Sequence, residues 1–213
     1  QWSKAYGGEG FDEFSAIRRL RDGNFVVTGT KASGMNGDDI WLMNIDDNGN
    51  DLWSKTYGGS LNEKGVETII SSNMDMLTIG VYQNNLGGKG DDIIVFKTNE
   101  LGEQLWSKII SMDMDQTPYA ICEVQNGAGF VIVGETQTEL LGFERILLIR
   151  INTLGDLIWD KSFGESYCSR GVSIVDDGSG LIISGDIDLD ANGNSDIFFL
   201  KTDYAGKIVE KNN

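Results

Sequence analysis

The residues best suited to chemistry are the oxygen-bearing side chains of one acidic loop, residues 188–196. Its pattern, Asp-x-Asp-x-Asn-Gly, matches the first half of a calcium-binding loop, in which alternating oxygen donors and a glycine at the sixth position suit a hard cation. The glutamate that closes such loops is missing, because Phe199 stands at the twelfth position. The loop therefore predicts a calcium site on Asp188, Asp190, Asn192 and Asp196, with a polar β-turn between two strands as the alternative.

Catalytic residues are scarce. The chain contains no histidine, which excludes Ser-His-Asp and Cys-His arrangements and histidine-ligated zinc. Carboxylate pairs of the glycosidase kind remain, but with 33 acidic residues such pairs arise by chance. We expect a protein that is not an enzyme and has no cofactor other than the calcium. The alternative is a carbohydrate-active enzyme domain that uses acidic residues.

Composition excludes several classes of partner. The formal net charge is −16, and a field of that sign repels phosphate backbones and anionic membrane surfaces. No apolar run approaches the ~20 residues of a membrane span. Hydrophobic residues make up 40% of the chain, which is an ordinary globular composition. We therefore expect no binding to nucleic acid and no membrane span.

An internal repeat organises the chain. Trp2, Trp53, Trp106 and Trp159 are spaced by 51, 53 and 53 residues, and all except the first follow a turn containing glycine. A period near fifty residues is typical of propeller blades rather than helical arrays. The spacing predicts repeats over residues 2–52, 53–105, 106–158 and 159–213.

Each repeat divides into four strand candidates separated by glycine. In the first they are residues 14–20, 24–29, 39–46 and 52–57, with a tight hairpin turn predicted at Asn48-Gly49 before the last. The middle candidates are short runs of Ile, Val and Phe, which a strand needs when both of its faces are covered. We predict an all-β fold, a single β-propeller domain over residues 1–213 whose blades are four-stranded antiparallel sheets.

Two features leave alternatives open. The chain begins at Gln1 inside the repeated phrase, which is typical of a piece of a larger protein or assembly, and the strand of Trp2 has no partner before it. This strand could close the ring with the last blade, belong to a larger ring, or pair with another chain. Cys122 and Cys168 fall at non-equivalent positions of different repeats, which favours two unpaired thiols over one disulfide.

The repeat resembles a known family. Its phrases Trp-Ser-Lys-Thr-Tyr-Gly-Gly, Asp-Gly-Asn-Phe-Val-Val-Thr-Gly and Asp-Asp-Ile-Trp-Leu resemble the β-propeller repeats of secreted and surface proteins of Bacteroidota, over residues 2–209. A looser similarity to quinoprotein propellers implies that Trp53, Trp106 and Trp159 dock each blade against the next. The Asp46-Gly49-Trp53 spacing is one residue shorter than in quinoproteins, and no quinone site accompanies it.

The resemblance implies an extracellular or cell-surface location. It also implies a non-enzymatic module that binds a protein or a glycan, or a structural subunit of a surface assembly. In a propeller, the acidic residues of the enzymatic alternative would lie near the central channel.

Overall fold

A computed structural model of the chain describes residues 1–32, 37–83, 90–125, 127–137, 143–164, 168–188 and 194–209. These residues form strands and turns, with no helix among them. The strands are β1 (Glu13–Arg19), β2 (Phe25–Ala32), β3 (Asp38–Ile45), β4 (Asp51–Tyr57), β5 (Asn62–Ile70), β6 (Met76–Gln83), β7 (Asp92–Thr98), β8 (Gln104–Ile110), β9 (Gln116–Glu123), β10 (Phe130–Gln137), β11 (Glu144–Ile151), β12 (Leu157–Phe163), β13 (Ser169–Asp176), β14 (Leu181–Asp188) and β15 (Ser195–Thr202).

The strands form four antiparallel sheets, in which each strand pairs with the next along the chain. Sheet 1 is β1–β4, sheet 2 is β5–β8, sheet 3 is β9–β12, and sheet 4 is β13–β15. The all-β prediction is confirmed, and so are antiparallel sheets of four strands for the first three. Sheet 4 differs, because it has three strands within the described residues. The described part of the chain contains no helix able to cross a membrane.

Burial follows the sequence pattern. Strand β7, a run of Ile, Val and Phe, is buried along its whole length. Strand β4 instead alternates between exposed and half-buried residues. Since side chains point alternately to the two faces of a strand, Trp53, Lys55 and Tyr57 share one face.

The chain forms two compact units, residues 1–111 and 112–213. In the first, β5 packs across β1, β2 and β3, and a core of Ile40, Leu42, Ile94 and Phe96 lies between sheets 1 and 2. In the second, β13 packs across β9, β10 and β11. Its core contains Val133, Leu148, Ile174 and Ile183, among others.

Hydroxyl groups join the two sheets of the first unit, and those of Thr28, Thr68 and Thr78 are buried. The Thr28 Oγ1 hydroxyl donates to Thr68 Oγ1 at 2.7 Å, and Thr68 Oγ1 lies 2.7 Å from Thr78 Oγ1. The Ser15 hydroxyl donates to the Gly65 carbonyl oxygen at 2.7 Å. Because each hydroxyl has a partner, these polar groups enter the interface without a large desolvation cost.

A glycine recurs in the second strand of every sheet. The first strand of each sheet has a shifted register close to this position, and the bulge brings a carbonyl oxygen against the glycine. A Cβ atom built on any of the four would overlap that oxygen, so any larger residue would force the two strands to shift. The glycines are Gly29, Gly80, Gly134 and Gly185, and the carbonyls belong to Glu13, Lys64, Thr117 and Arg170.

The turn before each tryptophan strand is longer than predicted. The Asp46 Oδ1 atom accepts the backbone N–H groups of Asn48 at 2.9 Å and Asn50 at 2.7 Å. Only Gly49 has a positive φ, +72°, whereas Asn48 does not. The structure therefore replaces the tight Asn48-Gly49 turn with a five-residue turn held by an acceptor side chain at its first residue. The same bonds recur at Asn99, Asn152 and Asp203.

Candidate functional site

The Trp-x-Lys phrase makes structural contacts with the turn near the end of its own repeat, just before the next tryptophan. The Trp2 indole N–H donates to the Asp47 carbonyl oxygen at 2.8 Å. The Lys4 ammonium and the Tyr6 hydroxyl both donate to the Gly49 carbonyl oxygen, at 2.9 and 2.6 Å. The Trp2 ring lies so close to Gly49 that a Cβ there would be 2.6 Å from it. The phrase thus fixes the turn and requires its glycine.

The next copy repeats the lysine and tyrosine bonds, but the Trp53 indole N–H has no hydrogen-bond partner among the described residues. The Lys55 ammonium donates to the Leu101 carbonyl and the Tyr57 hydroxyl to the Gly102 carbonyl, both at 2.7 Å. A Cβ at Gly102 would lie 3.0 Å from the Trp53 ring. The Lys55 ammonium also lies 5.8 Å from the centroid of the Trp53 ring, within cation–π distance.

The three tryptophans with a predicted docking role have different surroundings. Trp53 and Trp159 lie against the turn glycines Gly102 and Gly206. Trp106 is half-buried on β8, opposite Lys97 of β7. Trp53 of β4 and Trp159 of β12 thus lie against turns of the following sheets, and the docking role itself stays a prediction.

The predicted calcium residues are described only in part. Asp188 ends β14, and its backbone N–H donates to the Cys168 carbonyl oxygen at 2.7 Å. Asp196 lies on β15, opposite Ile187, whereas Asp190 and Asn192 lie outside the described residues. Within the described ranges, no three His, Cys, Asp or Glu residues are grouped so that they could hold a metal. Calcium binding stays a prediction.

Both cysteines are free thiols. Burial raises the pKa of the Cys122 thiol to about 12, and the nearby negative charge of Asp176 acts in the same direction. Because the thiolate is the reactive form, Cys122 is inert at neutral pH. Cys168 lies instead at the edge of a cleft.

This cleft is the candidate site, and it belongs to the second unit. It encloses about 260 Å³ where the end of β14 meets the beginnings of β11, β13 and β15. Antiparallel pairing brings these strand ends to one edge of the sheets. The lining is almost wholly polar: Glu144, Cys168, Ser169, Arg170, Asp186, Asp188 and Ser195.

One ion pair and one unpaired hydroxyl lie in the cleft. Arg170 Nε donates to Asp186 Oδ2 at 2.9 Å, and this bond raises the pKa of the arginine. Ser169 is 2% exposed, and its hydroxyl has no hydrogen-bond partner among the residues that the structure describes. A buried hydroxyl without a partner costs free energy, so Ser169 offers a hydrogen bond to a bound molecule.

A second acid lies beside the cleft. Burial raises the pKa of the Glu135 carboxyl above its ordinary value, and the negative charge of Glu144 adds to the effect. Burial also raises the pKa of Tyr119 to about 12, with Glu135 contributing. Glu135 is therefore a half-buried carboxyl group with a raised pKa, and the negative charge of Glu144 acts on it.

Sequence reasoning missed this cleft. One signal existed: Glu135 directly follows the repeated glycine Gly134 at the end of an apolar run. The other repeats have Thr30, Val81 and Asp186 at that position. Two carboxylates at equivalent positions of neighbouring sheets, Glu135 and Asp186, could have indicated a polar region at one end of these strands.

A second cleft is a weaker candidate. It is lined by Glu123, Gln125, Asp176, Gly178 and Tyr204. The two oxygens of Asp176 already accept hydrogen bonds, from the Tyr204 hydroxyl at 2.7 Å and from the Gln125 N–H at 2.9 Å. Its principal charged group is therefore engaged within the fold.

Comparison with known proteins gives no family. No family model matches the chain, and no curated protein matches it. One similar solved structure is the Pyrococcus horikoshii acylaminoacyl peptidase in an orthorhombic crystal form, with a TM-score of 0.41 and 11% identity. The match covers 93% of this chain and 39% of that chain, so the chain spans well under half the length of the peptidase. A likeness at this level assigns neither family nor activity.

Proposed function

We propose that the chain is a non-enzymatic, extracellular β-propeller module that binds a neutral glycan in the cleft of the second unit. Two arrangements support the propeller. The first strand of one sheet packs across the preceding sheet in each unit, and Trp53 of sheet 1 lies against the turn between β7 and β8 of sheet 2. The cell-surface location rests on the resemblance of the repeats to those of surface proteins.

The composition of the cleft is the observation that carries the proposal. Carboxylates and hydroxyls line it, and both groups pair well with the hydroxyls of a sugar. Its volume of about 260 Å³ is below the ~300–1,000 Å³ of sites for drug-sized ligands, which suits one or two sugar rings. Ser169 would gain its missing hydrogen bond from such a ligand.

Charge narrows the class of glycan. The chain carries a net charge of −16, and the one arginine of the cleft is already paired with Asp186. Sulfated or sialylated sugars would therefore meet repulsion, with no unpaired cation among the described lining residues to offset it. Neutral sugars avoid this cost.

The test is a glycan array followed by calorimetry on the glycans that bind. We expect binding to neutral glycans, and Ser169→Ala should weaken it about five- to tenfold, because one hydrogen bond is worth about 1 kcal/mol. The melting temperature should not fall, since the hydroxyl has no partner in the free protein.

Ser173→Ala is the matched control, because Ser173 lies on the same strand, is exposed, and does not line the cleft. It should bind as the unaltered chain does. Failure to retain any neutral glycan, or equal binding by the Ser169 and Ser173 variants, would refute the proposed site.

The raised pKa of the Glu135 carboxyl group favours one alternative function, a carbohydrate-active enzyme. A carboxyl group whose pKa is raised by burial can act as a general acid, with Glu144 as the second carboxylate. A polysaccharide-release assay separates the two functions. Release of sugar that Glu135→Gln abolishes would favour the enzyme, and binding without release would favour the module.

A further inference from the structure

One face of sheet 4 continues the cleft along strand β15. Three residues of β14 lie opposite three residues of β15, through the pairs Asp188–Ser195, Asp186–Ile197 and Ser184–Phe199. Because opposite residues of paired strands point to the same side of a sheet, these six side chains share one face. Asp186, Asp188 and Ser195 line the cleft. Ile197 and Phe199 therefore extend the same surface along β15.

The two apolar side chains of this surface are largely open to solvent. Ile197 is 79% exposed and Phe199 is 76% exposed, and alternate residues of a strand lie about 7 Å apart. Their neighbours Phe198 and Leu200 point to the opposite face, where they pack against the core of the second unit. Adjacent exposed apolar side chains beside a polar cleft mark an interaction surface.

The internal repeat shows that Phe199 departs from the other sheets. In those sheets the same position holds a fully buried aliphatic residue, which is Leu42, Val95 or Leu148. Sheet 4 has an aromatic ring at this position, and the ring is exposed. An aromatic ring offers a flat apolar surface that a branched aliphatic side chain does not.

Charged groups on the same face decide which kind of molecule the surface suits. The Arg170–Asp186 ion pair is partly exposed, and Asp188 lies two residues further along β14. An apolar protein surface laid over Phe199 would bury these charges, which costs free energy. A neutral sugar ring instead has an apolar C–H face and hydroxyl groups around its edge. It can pack on the aromatic ring while its hydroxyls bond with the carboxylates.

We propose that Ile197 and Phe199 form an apolar platform for the further rings of a neutral glycan chain whose first rings occupy the cleft. The inference rests on the proposed function, because it extends the same site. The class of glycan is an extended chain of β-linked glucose, since its equatorial hydroxyls leave both faces of every ring apolar. From Ser195 to Phe199 the strand extends about 13 Å, which accommodates more rings than the cleft alone.

Calorimetry with cello-oligosaccharides of increasing length tests the platform. We expect the affinity to rise from cellobiose to cellotetraose. Phe199→Ala should weaken the binding of cellotetraose about tenfold, as the loss of contact with one side of an aromatic ring does. It should leave the binding of cellobiose unchanged, because cellobiose fits within the cleft. Phe199→Trp should restore the binding of cellotetraose. The melting temperature should not fall in either variant, since the side chain is exposed.

Phe11→Ala is the matched control. Phe11 is also 76% exposed, belongs to the first unit and is not among the residues that line the cleft, so its variant should bind every oligosaccharide as the unaltered chain does. Equal binding of cellotetraose by the two alanine variants overturns the proposal. So does an equal loss for cellobiose and cellotetraose in Phe199→Ala. A lower native mass of Phe199→Ala on a sizing column would show a contact between copies instead, and would also overturn it.

The glycan array separates this inference from the proposed function. If the chain retains other neutral glycans but no cello-oligosaccharide, the platform inference fails and the proposed function stands. The same holds if Ser169→Ala weakens the binding of cellotetraose and Phe199→Ala does not. If the chain retains no neutral glycan, both fail.

Discussion

Single glycines set the distance between strands in this protein. A Cβ on Gly80 would overlap the Lys64 carbonyl oxygen and lie 2.6 Å from Ile40 Cδ1. The carbonyl has little room to withdraw, because β5 is hydrogen-bonded to β6 within sheet 2 and also packs against sheet 1. We expect Gly80→Ala to lower the free energy of unfolding by about 1–3 kcal/mol, the usual cost of overpacking, in urea titrations followed by tryptophan fluorescence.

Gly8→Ala is the control for this prediction. Gly8 lies in the same unit, has no positive φ, and leaves open space around a built Cβ. Its substitution should change the free energy of unfolding by less than about 0.5 kcal/mol. Equal effects of the two substitutions would contradict the steric explanation.

Glu135 should make stability depend on pH. Burial raises its pKa in the folded protein, so the folded state holds this proton more tightly than the unfolded state does. Stability is then highest below the ordinary pKa of a glutamate and falls as pH rises through the raised value. We expect Glu135→Gln to be more stable than the unaltered chain at pH 7 and equally stable in acid, as urea titrations at several pH values would measure.

The exposed Glu9 provides the comparison, because Glu9→Gln removes the same charge without changing a buried group. Its effect on stability should vary little with pH. The prediction would be contradicted if Glu135→Gln changed the free energy of unfolding by the same amount at pH 4 and at pH 7. A gain in stability on removing a functional group is common, because binding and catalytic sites retain groups that the fold alone would not favour.

At the scale of the elements, the turn before each tryptophan strand depends on its first residue. Asn99 Oδ1 accepts the N–H groups of Leu101 at 3.0 Å and Glu103 at 2.9 Å, and its amide donates to Glu103 Oε2 at 2.7 Å. The same turn receives Lys55 and Tyr57. We expect Asn99→Ala to lower the free energy of unfolding by about 1–2 kcal/mol, as loss of a side-chain cap does.

Glu100→Ala is the matched control, since Glu100 occupies the same turn and is exposed. Thermal unfolding of the two variants provides the measurement. If Glu100→Ala proved as costly as Asn99→Ala, the stability of the turn would not depend on the Asn99 acceptor.

The strands could be predicted from sequence, whereas the site could not. Apolar runs such as residues 93–96 and the tryptophan spacing predict the sheets directly, because burial on both faces constrains every residue of a central strand. The acceptor role of Asp46 was missed, since the Asn48-Gly49 pair is the stronger turn signal. The cleft depends on which strand ends meet. Ser169 and Glu135 acquire their chemistry from burial, which a single sequence does not reveal.

At the scale of the whole molecule, the repeats make stability a sum of local contacts. Sheet packs on sheet within residues 1–111 and again within residues 112–213, and in such arrays stability comes from each repeat and its nearest neighbours. Surface ion pairs such as Arg18–Glu67 and Lys201–Asp177 contribute at most about 1 kcal/mol each. The excess of acidic residues is therefore the dominant long-range electrostatic effect.

This excess predicts how salt acts on the protein. The chain carries 33 acidic and 17 basic residues, so repulsion destabilises the compact state, and screening should relieve more repulsion than attraction. We expect the melting temperature to rise by several degrees with sodium chloride and to level off near 0.2 M, where the Debye length is about 7 Å. Magnesium chloride of equal ionic strength is the control, because it shows the effect that any divalent cation has on the melting temperature. A further rise specific to calcium, reversed by EDTA and lost in Asp190→Ala, would support the predicted calcium loop. A melting temperature that falls with sodium chloride would mean that paired charges outweigh the acidic excess, which the partial exposure of these ion pairs argues against.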